Sequence, residues 1–358
     1  MVFLRLNGSF FCKPHEKAAV FQQMLLNALN EIFPEKIRKV NSDDQPWISH
    51  KLKVLDRKRK RIFHRERRSE KWKKFNKLFK KEVRTAKANF YKNTVADLKT
   101  KNPGQWYSCL KRITSHDQID AKINIDEISH LPDQEQAELI AEKFSSIQNE
   151  YEPLNAEDIS IPPFTEEEIP VFLPAQVWQI LTQLKTNKAT VPGDFPAKLT
   201  KLFAAYLAEP FADIINTSVS RGEYPNIYKF EISTPVPKQY PPRNTSEIRN
   251  ISGLLTFDKI MEKLLTELMI SDMKLKMDPK QYGNQKGLSV QHYLIDMIHR
   301  ILTALDSNSQ KESFAVIASL IDWNNAFPRQ CPRLGIESFI ENDVRPALIP
   351  ILINYFQD

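Results

Sequence analysis

An acid at the end of a long apolar run is costly unless it is paired, solvated or bound to metal. Residues 313–321, SFAVIASLI, form such a run, and Asp322 follows directly. Two roles are open to its carboxylate. It caps the turn that begins there, or it ligates a hard divalent cation at the C-terminal end of a buried central strand. The chain continues Trp323-Asn324-Asn325-Ala326-Phe327, which sets an aromatic ring five positions past the acid. A second group is cationic. Lys238 follows an alternating segment, and Arg249 stands eleven residues on, past a proline-rich turn. At the end of a hairpin two such cations grip a triphosphate; as isolated surface residues they are only solvated. A third group is the loop from Gln281 to Ser289, with Gly283, Lys286 and Gly287. Its small residues permit close backbone approach to a phosphate, or simply an ordinary helix entry.

The fourth group is the largest. Residues 36–92 hold 22 Lys+Arg and 6 Asp+Glu, a net of +16, in a chain whose formal net charge is only +7. Residues 130–170 hold 1 Lys and 11 Asp+Glu, a net of −10. The asymmetry points to a polyanionic partner, nucleic acid or an anionic membrane surface. Arg57, Lys58, Arg59, Lys60, Arg61, Lys73, Lys74, Lys80 and Lys81 are interleaved with Trp72, Phe75, Phe79, Phe90 and Tyr91. Such a pattern tracks a phosphate backbone, unless the aromatics pack inward and leave a plain solvated face. The run 57–61 also reads as a nuclear localisation signal.

The elements that position these groups follow from hydrophobic periodicity. Val20, Phe21, Met24, Leu25, Ala28 and Leu29 predict a helix over 14–33. Residues 48–99 predict a long basic helical region ended by Asn102-Pro103-Gly104. A short helix fits 133–149, and the acidic, proline-containing stretch after it reads as a linker. Beyond about 174 the apolar spacing predicts helices near 177–184, 199–219 (divided near Pro210) and 260–269. Phe230, Ile232, Thr234 and Val236 alternate as a strand, and Pro235 and Pro237 put it at a sheet edge. The clearest helix is 289–305, with Ser289 as its N-cap, and 313–321 predicts a buried strand.

Composition removes several classes. No run of about 18 apolar residues exists, so no transmembrane helix is expected. The N-terminus lacks a charged n-region and a full apolar h-region, so secretion is not expected and a nuclear or cytoplasmic location is. Cys12, Cys109 and Cys331 lie too far apart in sequence for a zinc knuckle. With 8 glycines and neither G-x-G-x-x-G nor a P-loop, dinucleotide and P-loop folds are excluded.

Read in order, KTNKATVPGDFPAKL (185–199), STPVPK (233–238), EIRNIS (247–252), LLTFDKIMEKLL (254–265), QYGNQKGLS (281–289) and LIDWNNAFPR (320–329) resemble the fingers and early palm of reverse transcriptases of non-LTR, LINE- or jockey-type retrotransposons. The segment 46–112 is similar to the basic connector that precedes the polymerase in that family. The resemblance implies an α+β, helix-rich fold: 1–45 a helical remnant, 46–150 the connector, 151–173 a linker, and 174–358 the N-terminal part of a right-hand polymerase. It implies RNA-templated DNA synthesis with an RNA template, a DNA primer or target, dNTP, and Mg²⁺ (or Mn²⁺). Asp322 then matches the first metal-binding aspartate, and Phe327 the gate that excludes a ribose 2′-OH. Lys238 and Arg249 match the triphosphate-holding cations, and Gln281, Gly283, Lys286, Gly287 and Ser289 the template–primer loop.

The departures are specific. Asn250 follows the arginine where the family has proline, Asn284 stands at a usual phenylalanine, and Pro328 stands at a usual acid. No Tyr/Phe-x-Asp-Asp follows Asp322, and one carboxylate does not organise two divalent ions. The expectation is a truncated or degenerate enzyme without polymerase activity of its own. The alternative is a non-catalytic nucleic-acid-binding protein that uses the 36–92 segment. An unpaired apolar strand at 313–321 also predicts poor solubility.

Overall fold

The computed structural model describes residues 13–34, 45, 47–95, 106, 125–148, 151–187, 190–239, 241–307, 315–323, 325–326 and 328–357. The chain divides into two compact units, residues 35–123 in one and residues 1–34 with 124–358 in the other. The architecture is helix-rich α+β, with one two-stranded sheet among the described residues.

The described part of the smaller unit is a helical hairpin, α2 (His50–Glu66) and α3 (Glu70–Asn89), continued by a π-helical turn, Phe90–Val95. The expected single basic helical region is therefore broken. Arg67 adopts φ 47° and ends α2, and Ser69 caps α3 by accepting the Trp72 amide at 3.2 Å. Ser49 does the same for α2 through Leu52. Each cap satisfies an amide that has no partner inside its helix.

The larger unit begins with α1 (Pro14–Ile32), which belongs to the same body as the C-terminal half. α4 (Asp133–Gln148), α5 (Pro174–Thr182) and α6 (Ala197–Leu202) lead to α7 (Ala204–Arg221), the helix around which the core forms. Phe21 of α1, Phe211 of α7 and Phe257 of α8 (Thr256–Met273) meet there. The Phe257 centroid lies 4.9 Å from each of the other two rings, in edge-on geometry. The helix break falls at Phe203, and Pro210 sits inside α7 instead of dividing it. Leu207, Phe211, Ile214, Ile215 and Val219 are fully buried, and their burial outweighs the roughly 3 kcal/mol cost of an internal proline. Between α4 and α5, the segment that reads as a linker places Leu154, Ile159 and Phe172 in the same core. α10 (Pro332–Glu341) and α11 (Ile349–Phe356) close it.

Gly222 shows how tightly that closure is built. It ends α7 at φ +64°, and a Cβ placed on it would lie 2.5 Å from the ring carbon Cβ of Pro350 at the start of α11. Gly222→Ala is expected to lower stability by about 2 kcal/mol, from left-handed strain plus displacement of a rigid ring. Thermal or urea unfolding checks this; an unchanged midpoint would mean that α7 and α11 meet differently.

The sheet is a hairpin, β1 (Ile232–Pro237) antiparallel to β2 (Ile248–Gly253), with Val236 opposite Arg249 and Pro237 opposite Ile248. The Lys238 amide donates to the Glu247 carbonyl at 2.7 Å, which makes alternate pairs, including Val236–Arg249, the hydrogen-bonded ones. Pro235 and Pro237 thus occupy positions whose amides would point away from β2, where a missing N–H costs no ladder bond.

Of the expected strand at 313–321, residues 313–314 lie outside the described residues and the remainder does not form a strand. Residues 315–323 carry no regular secondary structure, and Ile317 and Leu320 are 88% and 87% exposed. A strand exists only where a neighbour takes its amides and carbonyls. Among the described residues the β1–β2 pair stands alone, and this segment joins no ladder. By contrast α9 (Val290–Ser307) forms as expected, although its apolar face is largely uncovered.

Candidate functional site

The hairpin of the smaller unit is held by its aromatics. Phe63 lies 5.5 Å from Trp72 across the two helices, and Trp47 lies 6.1 Å from Phe90 and 5.8 Å from Tyr91. Lys87 stands over the Trp47 ring at 5.2 Å. Arg59 turns inward as well: its guanidinium lies 4.6 Å over the Phe79 ring, donates to Asn76 at 3.3 Å, and pairs with Asp56 at 2.6 Å. Asp56 is held below the usual carboxylate range: burial works to raise it, and hydrogen bonds and charge from Lys60 and Arg59 outweigh that. Arg59 is therefore a clamp between helices, and the other cations of the expected patch face solvent.

Those cations fall into an ordered array on α3. Lys73, Lys77, Lys80 and Arg84 recur at i, i+4, i+7 and i+11, one per 5.4 Å turn. With Lys74 and Lys81 they line a shallow groove of about 830 Å³, bordered by Trp72 and Leu78. All six are exposed. Lys73 pairs with Glu70 at 2.6 Å, a solvated pair worth only a few tenths of a kcal/mol. On α2, Arg57, Lys58 and Arg61 are exposed, and Lys60 pairs with Asp56 at 3.0 Å. Lys77 and Arg84 are absent from the patch picked out of the sequence. Counting helical steps from Lys73 would have found both.

Lys238 and Arg249 do come together. They sit at diagonal positions on one face of the hairpin near its turn, and both are exposed. The Lys238 ammonium donates to the Ser246 carbonyl at 2.8 Å, which ties it to the turn. Glu247 lies between them in sequence. The backbone amide of Arg243 holds its carboxyl below the usual range, helped by Gln239.

The 281–289 loop is a turn system ahead of α9, with Asn284 at φ 57° and Gly287 at φ 87°. Ser289 precedes the helix: its amide donates to the His292 ring at 3.1 Å, its hydroxyl lies 2.9 Å from the same ring nitrogen, and the His292 amide donates to the Ser289 backbone carbonyl at 3.0 Å. Tyr282 rests 5.8 Å from Tyr293 and donates to Asp296, which also pairs with Arg300 at 2.7 Å. Gln281, Gly283, Lys286 and Gly287 are exposed around this turn.

Asp322 is exposed on the irregular 315–323 segment, and Phe327 lies outside the described residues. Among the described residues no three His, Cys, Asp or Glu side chains gather as a metal site. Mg²⁺ takes several oxygen ligands at close to octahedral geometry, more than Asp322 supplies by itself. No described helix is long and apolar enough to cross a membrane.

A second polar cluster, which periodicity does not reveal, lies in the core. The Tyr224 hydroxyl donates to Asp258 Oδ1 at 2.6 Å, and Thr256 donates to Asp194 Oδ2 through both its amide (3.0 Å) and its hydroxyl (2.6 Å). Asp258 Oδ2, Asp194 Oδ1 and the Tyr228 hydroxyl are buried without a hydrogen-bond partner. Burial pushes Asp258 up to about 7, moderated by Tyr224 and reinforced by Glu262. Burial also raises Asp194, against the Thr256 hydrogen bonds.

No family model matches the chain, and no curated protein matches it.

Proposed function

We propose that the chain binds nucleic acid through the basic groove of α3, as part of a protein related to non-LTR retrotransposon reverse transcriptases that does not polymerise by itself. The observation that carries the proposal is the array of six solvent-facing cations on α3, backed by a hairpin whose aromatics are committed to packing. Phosphate contacts supply most of the affinity of such a surface and little sequence preference. If about 5–6 cations meet phosphates, the logarithm of the binding constant falls with the logarithm of salt at a slope of roughly −4 to −5. Titration of a labelled duplex and a single strand across salt concentrations tests this. A flat salt dependence overturns it.

Kinship with reverse transcriptases rests on the ordered strings between 185 and 329 and on the β-hairpin that sets Lys238 and Arg249 on one face. Two cations on one hairpin face suit the phosphates of a dNTP. A weak dNTP affinity lost in Lys238→Ala and Arg249→Ala supports the kinship, and no measurable affinity favours a plain nucleic-acid-binding module. The purified chain is expected to show no Mg²⁺-dependent dNTP incorporation on a primed RNA template. Incorporation that Asp322→Ala abolishes would refute this part of the proposal.

A further inference from the structure

The exposed cations of α3 form two rows along one helix. At about 100° per residue, Lys73, Lys77, Lys80 and Arg84 fall within roughly 60° of one another, and Lys74 and Lys81 fall about 80° further round. The contacts that tie α3 to α2 come from the other side: Trp72 to Phe63, Asn76 and Phe79 to Arg59, and Glu82 to Lys51 at 3.4 Å. The line midway between the two rows therefore points away from α2. Glu82 is the single acid between Lys73 and Arg84, and it lies on the α2 side. Resting on the nucleic-acid reading above, we propose that α3 lies lengthwise in the major groove of duplex DNA, with one row of cations on each phosphate wall.

Width, length and the placement of the aromatics each select this ligand. A helix with its side chains is roughly 10–12 Å across, and the B-form major groove is about 12 Å wide, so both rows reach a wall at once. From Lys73 to Arg84 the array runs about 16 Å, the rise of about five base pairs. The major groove of A-form RNA is deep and narrow and keeps side chains out, so an RNA duplex suits α3 less well. A single strand offers one line of phosphates, which leaves the second row without a partner. Proteins that hold single strands also stack the bases on aromatic rings beside their cations. On α3 those rings are turned to the hairpin instead, Trp72 against Phe63 and Phe79 beneath the Arg59 guanidinium.

Fluorescence anisotropy of the full chain tests the proposal, with a DNA duplex of about 12 base pairs (roughly one helical turn), its separate strands, and an RNA duplex of the same sequence, over a range of salt. The DNA duplex is expected to bind at least ~10-fold more tightly than the other two probes. Bound chain should protect guanine N7, in the major groove, from dimethyl sulfate and leave adenine N3, in the minor groove, as reactive as before. Lys74→Ala with Lys81→Ala should keep the circular dichroism spectrum, since both side chains are exposed, and bring the duplex affinity to within about threefold of the single strand's. Single strands or RNA duplex bound as tightly as the DNA duplex, or guanine N7 left unprotected, would overturn the groove assignment and leave phosphate binding standing. Affinity indifferent to salt on every probe would overturn both.

Discussion

Lys73→Glu, Lys77→Glu, Lys80→Glu and Arg84→Glu combined should weaken nucleic-acid binding by at least two orders of magnitude at about 50 mM salt and flatten its salt slope by about 3–4. Each change replaces an attraction with a repulsion at one step of a single helix face, so the four act on the same stretch of phosphates. The fold should tolerate them. All four residues are exposed, and the contacts that hold the hairpin, Phe63 on Trp72 and Arg59 on Phe79, involve none of them. The loss should be nearly equal for different base sequences, because phosphates carry no sequence information. Arg59→Ala is the informative contrast. It should destabilise the hairpin by removing the clamp on Asp56, Asn76 and Phe79, while changing the salt slope by less than one. Retained affinity in the fourfold variant would place the binding surface elsewhere in the chain.

Stability should fall as pH rises from about 4 to about 7, and Asp258 should account for most of that fall. Its folded-state pKa is raised to about 7 from the ordinary 3.8. Below 3.8 the carboxyl is neutral in both states and the folded protein carries no penalty. Between the two values the folded state keeps a proton that the unfolded state has released, so each step up in pH favours unfolding. Above about 7 the charge is forced into the core and the full penalty, a few kcal/mol, is present. Asp194, raised for the same reason, adds in the same direction. Asp258→Asn keeps an acceptor for the Tyr224 hydroxyl and carries no charge. Its unfolding free energy, measured by urea at pH 4, 5.5 and 7.5, should exceed that of the parent chain only at the higher pH values. Equal gains at all three would mean that the carboxyl is solvated. Tyr228, whose buried hydroxyl is pushed well above its usual range, stays neutral throughout and does not complicate the reading.

The legible parts of the chain are those in which local chemistry decides the outcome. The β-hairpin was visible in the alternation ending at Val236, in the placement of Pro235 and Pro237, and in the proline-rich turn before Arg249. α9 was visible because eighteen residues keep one strict spacing. The break at Arg67–Ser69 was present as a serine ahead of Glu70 and Trp72, but a continuous run of lysine and arginine on both sides hid it. The 313–321 segment marks the opposite limit. Its side chains look like those of a central strand, yet a strand is a relation between two segments, and hydrophobicity says nothing about whether the other segment is present. The same holds for the candidate site. The basic content was plain, but which cations point outward depended on where Phe63, Phe79 and Trp72 pack, and that turned Arg59 from an expected phosphate ligand into a brace.

The prolines of β1 have a consequence for what the hairpin can join. Hydrogen-bonded pairing with β2 uses the amides of residues 234, 236 and 238, and the opposite rim of β1 has lost its donors at 235 and 237. That rim is a blind edge: an incoming extended segment finds carbonyls but no run of amides to answer its own. The outer rim of β2, with Ile248, Asn250 and Ser252, keeps every donor. Growth of this sheet is therefore one-way, and any strand added by a partner or by another part of the protein must dock beside Asn250, on the far side from Pro235.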